Sequence, residues 1–224
     1  MLFRSMNVKL IAKTIPVVEG LTTGEDLLSY CARVSNPKNQ LNTETADKLL
    51  KYCFKAGHVS IFEQASLTLE IQTSRAISAQ ILRHRSFCFQ EFSQRYAEVT
   101  EFETYNARRQ DTKNRQNSID DMSEDTKREF YDMQVNIQDT GINYYEHALS
   151  IGIAKEQARF LLPLSTSTTL YMTGNIRSWI HYCKTRCDPS TQLEHREIAD
   201  ECKKILLEQY PVLEKLLTQD GGDK

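Results

Sequence analysis

The stretch Arg83-His84-Arg85-Ser86-Phe87-Cys88-Phe89-Gln90-Glu91-Phe92-Ser93-Gln94-Arg95-Tyr96 decides how this chain is read. It puts three arginines, a histidine, a carboxylate, two serines and a tyrosine within fourteen positions. That mixture suits neither a packed core nor a solvated helix face. Guanidinium groups are planar, permanently charged and bidentate, the usual protein partners of phosphates and carbonyl–imide edges. With aromatic rings between them, they describe a phosphate-rich site for a flat ligand. Working outward, Leu67, Leu69 and Ile71 alternate with polar neighbours over residues 66–73, the pattern of a half-buried strand. Residues 75–84 read as a helix that carries Gln80, Arg83 and His84 along one side, since positions three and four apart are neighbours. The stretch therefore starts at a helix C-terminus and runs through a loop towards a strand expected near Arg95 to Thr100.

Residues 7–18 alternate loosely as a first strand, and residues 24–34 suggest a short helix. Ala46, Leu49, Leu50, Cys53 and Phe54 recur at helical spacing, with Thr43 placed to cap the start and Gly57 to end the helix. Residues 104–122 are almost wholly polar, a long surface excursion of the kind that is usually mobile, functional or both. A long helix is expected from about Ser123, with Phe130, Met133, Ile137, Gly141, Tyr144 and Ala148 as its apolar stripe. Ala154 to Leu162 reads as a further helix stopped by Pro163, and the Thr/Ser-rich run to Thr173 as a strand. Ile176, Trp179, Ile180, Cys183 and Cys187 mark the buried face of the next helix. Asp188-Pro189 gives an N-cap with proline at the first helical position, opening a final helix to about Tyr210. The tail after Leu217 is polar and expected to fray. No repeat and no linker divides the chain, so residues 1–224 are expected to form one domain.

At 224 residues the chain can bury a real core. Its formal charge of −2 makes the arginine cluster local, whereas a general nucleic-acid binder would carry a broader basic excess. Apolar runs fall far short of a membrane span, and the N-terminus lacks a signal-peptide pattern. The six cysteines contain no CxxC pair and sit mostly at apolar helical positions, which argues for reduced thiols in a cytoplasmic protein over disulfides or a metal site.

The stretch resembles the signature of flavin-dependent (alternative) thymidylate synthases, in which Arg-His-Arg is followed, after seven intervening residues, by Ser-x-Arg. Arg83-His84-Arg85 and Ser93-Gln94-Arg95 keep that spacing, with Glu91 and Tyr96 in place. Cys88 stands where Ser is usual and Gln90 where Asn is usual, departures that bear on local hydrogen bonding. Two further segments are similar to the same family: Gly57-His58-Val59-Ser60-Ile61-Phe62-Glu63, and the series Ala158-Arg159-Phe160-Leu161-Leu162-Pro163, Asn175-Ile176-Arg177-Ser178, His181, Arg186 and Gln192-x-Glu194. The resemblance spans roughly residues 30 to 200.

It implies an α/β fold, a central, mostly antiparallel sheet flanked by helices, assembled as a homotetramer with active sites at subunit junctions. It also implies a FAD enzyme that converts dUMP to dTMP, with methylenetetrahydrofolate as methylene donor, NADPH as reductant and no protein nucleophile. By the same resemblance Arg83, His84, Arg85, Ser86, Glu91, Asn175, Arg177 and His181 lie on FAD, joined by His58 and Ser60 of another subunit. Gln80, Arg83, Glu91, Ser93, Gln94, Arg95, Arg159 and Arg186 hold dUMP. Arg186 has the sharpest role: a guanidinium near N3 and O4 of the uracil stabilises negative charge that grows on the imide.

Each residue also has a plainer reading. Arg159 could pair with Glu156 at the surface, and Arg177 and His181 could simply be solvated. His58 could cap a helix after Gly57, and His84 could be a structural donor fixing the loop. Ser93 lacks the His and Asp of a nucleophilic triad, and Cys88 between two phenylalanines reads as a packed thiol. The Arg/aromatic cluster could instead stack single-stranded RNA, although the low net charge argues against that. A conventional thymidylate synthase would need a cysteine nucleophile, and a purely structural helical protein would leave the arginines unexplained.

Overall fold

The computed structural model describes residues 7–98 and 101–218. Its centre is a four-stranded antiparallel sheet in the order β1 (Asn7–Lys13), β2 (Ser66–Ser74), β6 (Ser167–Asn175) and β3 (Cys88–Glu91). β2 and β6 pair over their full lengths, from Ser66 opposite Asn175 to Ser74 opposite Ser167. The inward residues Leu67, Leu69, Ile71, Leu170 and Met172 are all buried, the period-two outcome that the alternation in the sequence requires. Between the strands run α1 (Gly24–Ala32), α2 (Ala46–Lys55), α3 (Arg75–Ile81) and a two-residue hairpin pair, β4 (Arg109–Gln110) and β5 (Ser118–Ile119). Then come α4 (Glu124–Ser150) and α5 (Lys155–Ala158), and after β6 follow α6 (Ile176–Arg186), α7 (Leu193–Gln209) and α8 (Glu214–Thr218). The expected arrangement of helices around an antiparallel sheet is therefore present. No helix among the described residues is long and apolar enough to cross a membrane.

The core lies between the sheet and helices α1, α2, α6 and α7. Trp179 is fully buried and donates its indole N–H to the Leu67 carbonyl at 3.2 Å, tying α6 to the middle of the sheet. Phe87 stacks edge-on against Trp179 with ring centroids 4.8 Å apart. The Phe87 ring also fills the space over Gly174, where a Cβ would come within 2.4 Å of it. Only glycine permits that contact.

Several expectations need correction. The strand expected near Arg95 to Thr100 forms earlier, at Cys88–Glu91, with Cys88 opposite Thr173 and Glu91 opposite Leu170. Phe87 and Phe89, two positions apart, send both rings to one side, and that aromatic anchor fixes which residues join the sheet. Gln94 to Tyr96 form a turn, and residues 99 and 100 lie outside the described residues. The first strand ends at Lys13 rather than at residue 18. Helix α2 begins after Thr45, not Thr43, and Thr45 makes no cap because its hydroxyl accepts from Arg33 Nη2 at 2.7 Å. Asp188 does not open the final helix; its carboxylate accepts from the backbone and hydroxyl of Ser190 at 2.8 and 2.6 Å, closing a turn, and α7 starts at Leu193. Ala154 to Leu162 yields one α-turn that tightens to a 3-10 turn over Arg159–Leu161.

The long helix starts where expected, with Ser123 as N-cap accepting from the Thr126 amide. Its apolar stripe is only partly covered: Gly141 and Ala148 are buried, while Phe130, Met133, Ile137 and Tyr144 are exposed. Within the polar excursion the turn between β4 and β5 is pinned by Asp111, which accepts from the Lys113 amide at 2.8 Å and the Asn117 amide group at 3.1 Å.

Candidate functional site

Helix α3 links two clusters. At its N-terminal end Arg75 pairs with Glu91 at 3.0 Å and donates to the Phe92 carbonyl at 2.7 Å. Glu91 also accepts from Ser78 at 2.6 Å and Thr168 at 3.1 Å, so it clamps the end of β3 onto α3. Arg75, Ser78 and Thr168 were not singled out from the sequence; the only signal for them was the helix period that carries Arg75 and Ser78 beside each other. At the C-terminal end of α3 Gln80 donates to Gln192 at 2.6 Å, Gln192 donates to Glu194 at 2.8 Å, and Glu194 pairs with Arg108 at 2.6 Å. Burial pushes the Glu194 carboxyl up, yet Gln192, its backbone contact and Arg108 outweigh this and hold it below the usual range.

The turn after α3 carries the arginines. Arg83, Arg85 and Ser86 are exposed, and neither guanidinium forms an ion pair among the described residues. His84 turns the other way, half-buried, and its Nε2 accepts from Arg186 Nε at 2.8 Å. Behind it His84 packs edge-on against Tyr182, centroids 4.9 Å apart, and the Tyr182 hydroxyl lies 3.2 Å from His195 Nε2. Burial, then the Arg186 charge, then His181 depress His84 to about 4, and burial followed by Arg186 and His84 depresses the buried His195 to about 3. Both imidazoles are neutral at pH 7. His195 and Tyr182 were missed in the sequence because nothing in their local spacing distinguishes them from ordinary core residues.

A third group rims the start of α6. Asn175 caps that helix by accepting from the Ser178 amide at 2.9 Å. Arg177 is exposed and pairs with Glu63, so the Gly57–Glu63 segment and the Asn175–Arg177 turn meet in space. His58 and Ser60 lie on the same segment, both exposed, and the His58 amide donates to the Cys53 carbonyl at 2.8 Å after Gly57 turns the chain at φ 76°. His181 is exposed one turn further along α6.

The fourth group follows β3. Ser93 is half-buried, and its hydroxyl receives the Arg95 amide at 3.4 Å, with no imidazole in contact. Gln94 is buried and its Nε2 has no partner among the described residues. Arg95, rather than Arg159, pairs with Glu156 at 3.2 Å, while Arg159 donates Nε to the Glu156 carbonyl at 3.2 Å. Two guanidiniums thus flank one short turn. Cys88 is exposed on β3, in contrast to the packed thiol expected from its neighbours.

Unpaired guanidiniums and a buried amide donor without a partner among the described residues have the chemistry that phosphate-bearing ligands require, on a mixed α/β fold. Residues 16–212 match the family model described as thymidylate synthase complementing protein. A probable flavin-dependent thymidylate synthase of Paramecium bursaria Chlorella virus 1 is 54% identical over 213 residues, covering 95% of this chain and 99% of its own. A flavin-dependent thymidylate synthase of Synechocystis sp. is 54% identical over 211 residues, covering 93% and 97%. The UMP/dUMP methylase PolB of Streptomyces cacaoi, solved with 5-Br dUMP bound, has the same fold at a TM-score of 0.80, with 24% identity over 92% of each chain. This chain belongs to the flavin-dependent thymidylate synthase family. None of these relatives supports the RNA-stacking reading, and of its rings Phe87 is buried against Trp179 while Phe92 and Tyr96 are exposed.

Proposed function

We propose that this protein converts dUMP to dTMP in a FAD-bearing site, with methylenetetrahydrofolate and NADPH as co-substrates and no covalent attachment of the pyrimidine to the protein. The observation that carries the reading is the pairing of a fixed Arg186 with the exposed, unpaired Arg83 and Arg85 beside it. FAD, when bound, supplies the carrier for reducing equivalents and for the one-carbon unit.

The side chains divide the remaining work. Arg83, Arg85 and Arg177 supply cations for a pyrophosphate, with Ser86, Asn175, His181, His58 and Ser60 as polar neighbours. Arg177 exchanges its Glu63 partner for the ligand or shares it. Arg95 and Arg159 flank Glu156 and suit a monophosphate, to which Ser93 and the unpaired amide of Gln94 add donors. Gln80 orients the base edge together with Arg186. As charge grows on the imide during attack from C5, the Arg186 guanidinium stabilises it, which lowers the barrier more than it tightens ground-state binding. Among the described residues Ser93 accepts the Arg95 amide and Cys88 is an exposed free thiol, so neither is given a nucleophile's role in this reading.

The exposed apolar residues of α4 support the further reading that copies of the chain assemble as a homotetramer, completing sites whose cations are spread over several surfaces. Six free thiols suit a cytoplasmic setting. The purified protein should be yellow and should release tritium from [5-³H]dUMP only when NADPH and methylenetetrahydrofolate are both supplied. A colourless protein that releases none would overturn the reading.

A further inference from the structure

Arg186 ends α6, where a cation is favoured by the helix dipole but is otherwise free to swing on a long side chain. One contact restrains it. His84 Nε2 accepts the Nε–H at 2.8 Å, so the guanidinium is held by the nitrogen nearest its own stem, and its two Nη groups are left without a partner among the described residues. The His84 ring is itself fixed. It meets Tyr182 edge-on at 4.9 Å, Phe87 at 6.4 Å and His195 at 6.2 Å, and Tyr182 is in turn held by His195. A ring that accepts at Nε2 must be neutral and must carry its proton on Nδ1. Burial, then the Arg186 charge and the proximity of His181, hold it in that form.

We propose that His84 is a positioning residue for Arg186: its Nε2 lone pair fixes the guanidinium by Nε so that the paired Nη groups form a fork towards the uracil imide. This departs from a flavin-contacting role for the His84 side chain, and it rests on the reading of Arg186 as the group that polarises the pyrimidine. A guanidinium held by one Nη would offer only Nε and a single Nη, tilted, to the base. Held by Nε, it offers two parallel donors, which can meet O4 and N3 together once N3 has given up its proton and the imide carries negative charge. His84 touches neither reacting atom. It acts by removing the rotations that would otherwise take Arg186 out of line while charge develops.

The test uses the FAD-loaded protein and compares His84→Phe with His84→Gln. Phenylalanine keeps the ring against Tyr182 and Phe87 but has no acceptor, whereas glutamine places its terminal amide about where Nε2 lies. In rapid-mixing experiments, His84→Phe should slow flavin oxidation by dUMP and methylenetetrahydrofolate on the order of a hundredfold. Flavin content, flavin reduction by NADPH and the Kd for dUMP should change little. His84→Gln should recover most of the lost rate. In an Arg186→Lys background, which has no Nε–H to hold, His84→Phe should cost little more, so that the two effects are not additive. Equal slowing by Phe and Gln, or loss of bound flavin in both, would overturn the proposal and return the ring to the flavin or to the core. If His84→Phe does not fold, the Gln variant decides alone, since an acceptor that fails to sustain the oxidative step excludes positioning through Nε2. Absence of dUMP-dependent flavin oxidation in the wild-type protein would instead remove the underlying reading of Arg186, and the proposal with it.

Discussion

The cations of this site fall into two kinds, and the contrast between them explains how the site is made. Arg186 is finished within one chain: His84 holds it, Tyr182 and His195 back His84, and all of these groups belong to the packed region between α6 and α7. Arg83, Arg85 and Arg177 stand at the surface, the first two without ion pairs among the described residues and the third on an exposed Glu63. The inner group is positioned before any ligand arrives, as a residue that must meet a developing charge should be. The outer group has no such backing among the described residues, so its geometry is left to what binds. The inner cation is therefore fixed by the fold of one chain, while the outer cations stand free for ligands.

The largest expected effect tests the inner group. Arg186→Lys keeps the charge and loses the fork, so flavin oxidation by dUMP and methylenetetrahydrofolate should fall on the order of 10²–10³-fold. The dUMP Kd should rise far less, and NADPH should still reduce the flavin. An oxidation rate equal to wild type in rapid-mixing traces would make Arg186 a binding residue only. Next comes the outer group: Arg177→Ala removes a charged donor worth roughly 1.5–3 kcal/mol, so the FAD Kd should weaken about tenfold to a hundredfold. The absorbance ratio at 450 and 280 nm after purification reports it, and full occupancy would take Arg177 out of the site.

The assembly itself can be attacked at α4. Ile137 is 60% exposed, and if the proposed homotetramer is built on this face, Ile137→Glu should give smaller species than the wild type in sedimentation velocity, with loss of activity but with far-UV circular dichroism retained. An active tetramer in that variant would place the interface elsewhere. A milder effect concerns pH. Folding depresses His84 and His195 from an ordinary 6.5 to about 4 and about 3, so below pH 6.5 the unfolded chain binds more protons than the folded one. Their contribution to stability is complete above pH 6.5 and is lost as the pH falls towards 4 and then 3. The urea midpoint should drop between pH 7.5 and 5, and the drop should shrink in His195→Phe; an unchanged slope would contradict neutral burial of that ring. The smallest effect belongs to Cys88→Ala, which should retain a substantial part of the activity because no thiol attacks the pyrimidine. A Cys88–nucleotide adduct in intact-mass spectra would contradict this.

The sequence exposed the fold where local patterns coincided with burial. Leu67, Leu69 and Ile71 alternate because one face of β2 is core, and Ser123 caps α4 because its hydroxyl engages only Thr126 of the same turn, by amide and hydroxyl. It misled where a tertiary partner outbid the local signal: Arg33 takes the Thr45 hydroxyl, and Asp188 spends its carboxylate on a turn rather than on a helix. The outer cations were legible from their spacing in the signature. The backing of the inner group was not, because a histidine in the first turn of α7 and a tyrosine on the core face of α6 carry no local mark of the hydrogen bond that joins them across thirteen residues. The exposure of the α4 stripe was equally hidden, since amphipathic spacing says that a face is apolar and not which surface covers it.

Gly174 is a position where an inherited substitution would act from a distance. Any side chain there would displace Phe87, and with it the turn from which His84 reaches Arg186, although residue 174 meets no ligand. Under the proposed function, such a substitution would cut the supply of thymidine nucleotides through an overpacking fault away from the reaction. Its carrier would resemble an active-site mutant in every assay of turnover, and only a thermal melt would reveal that the damage began in the packing.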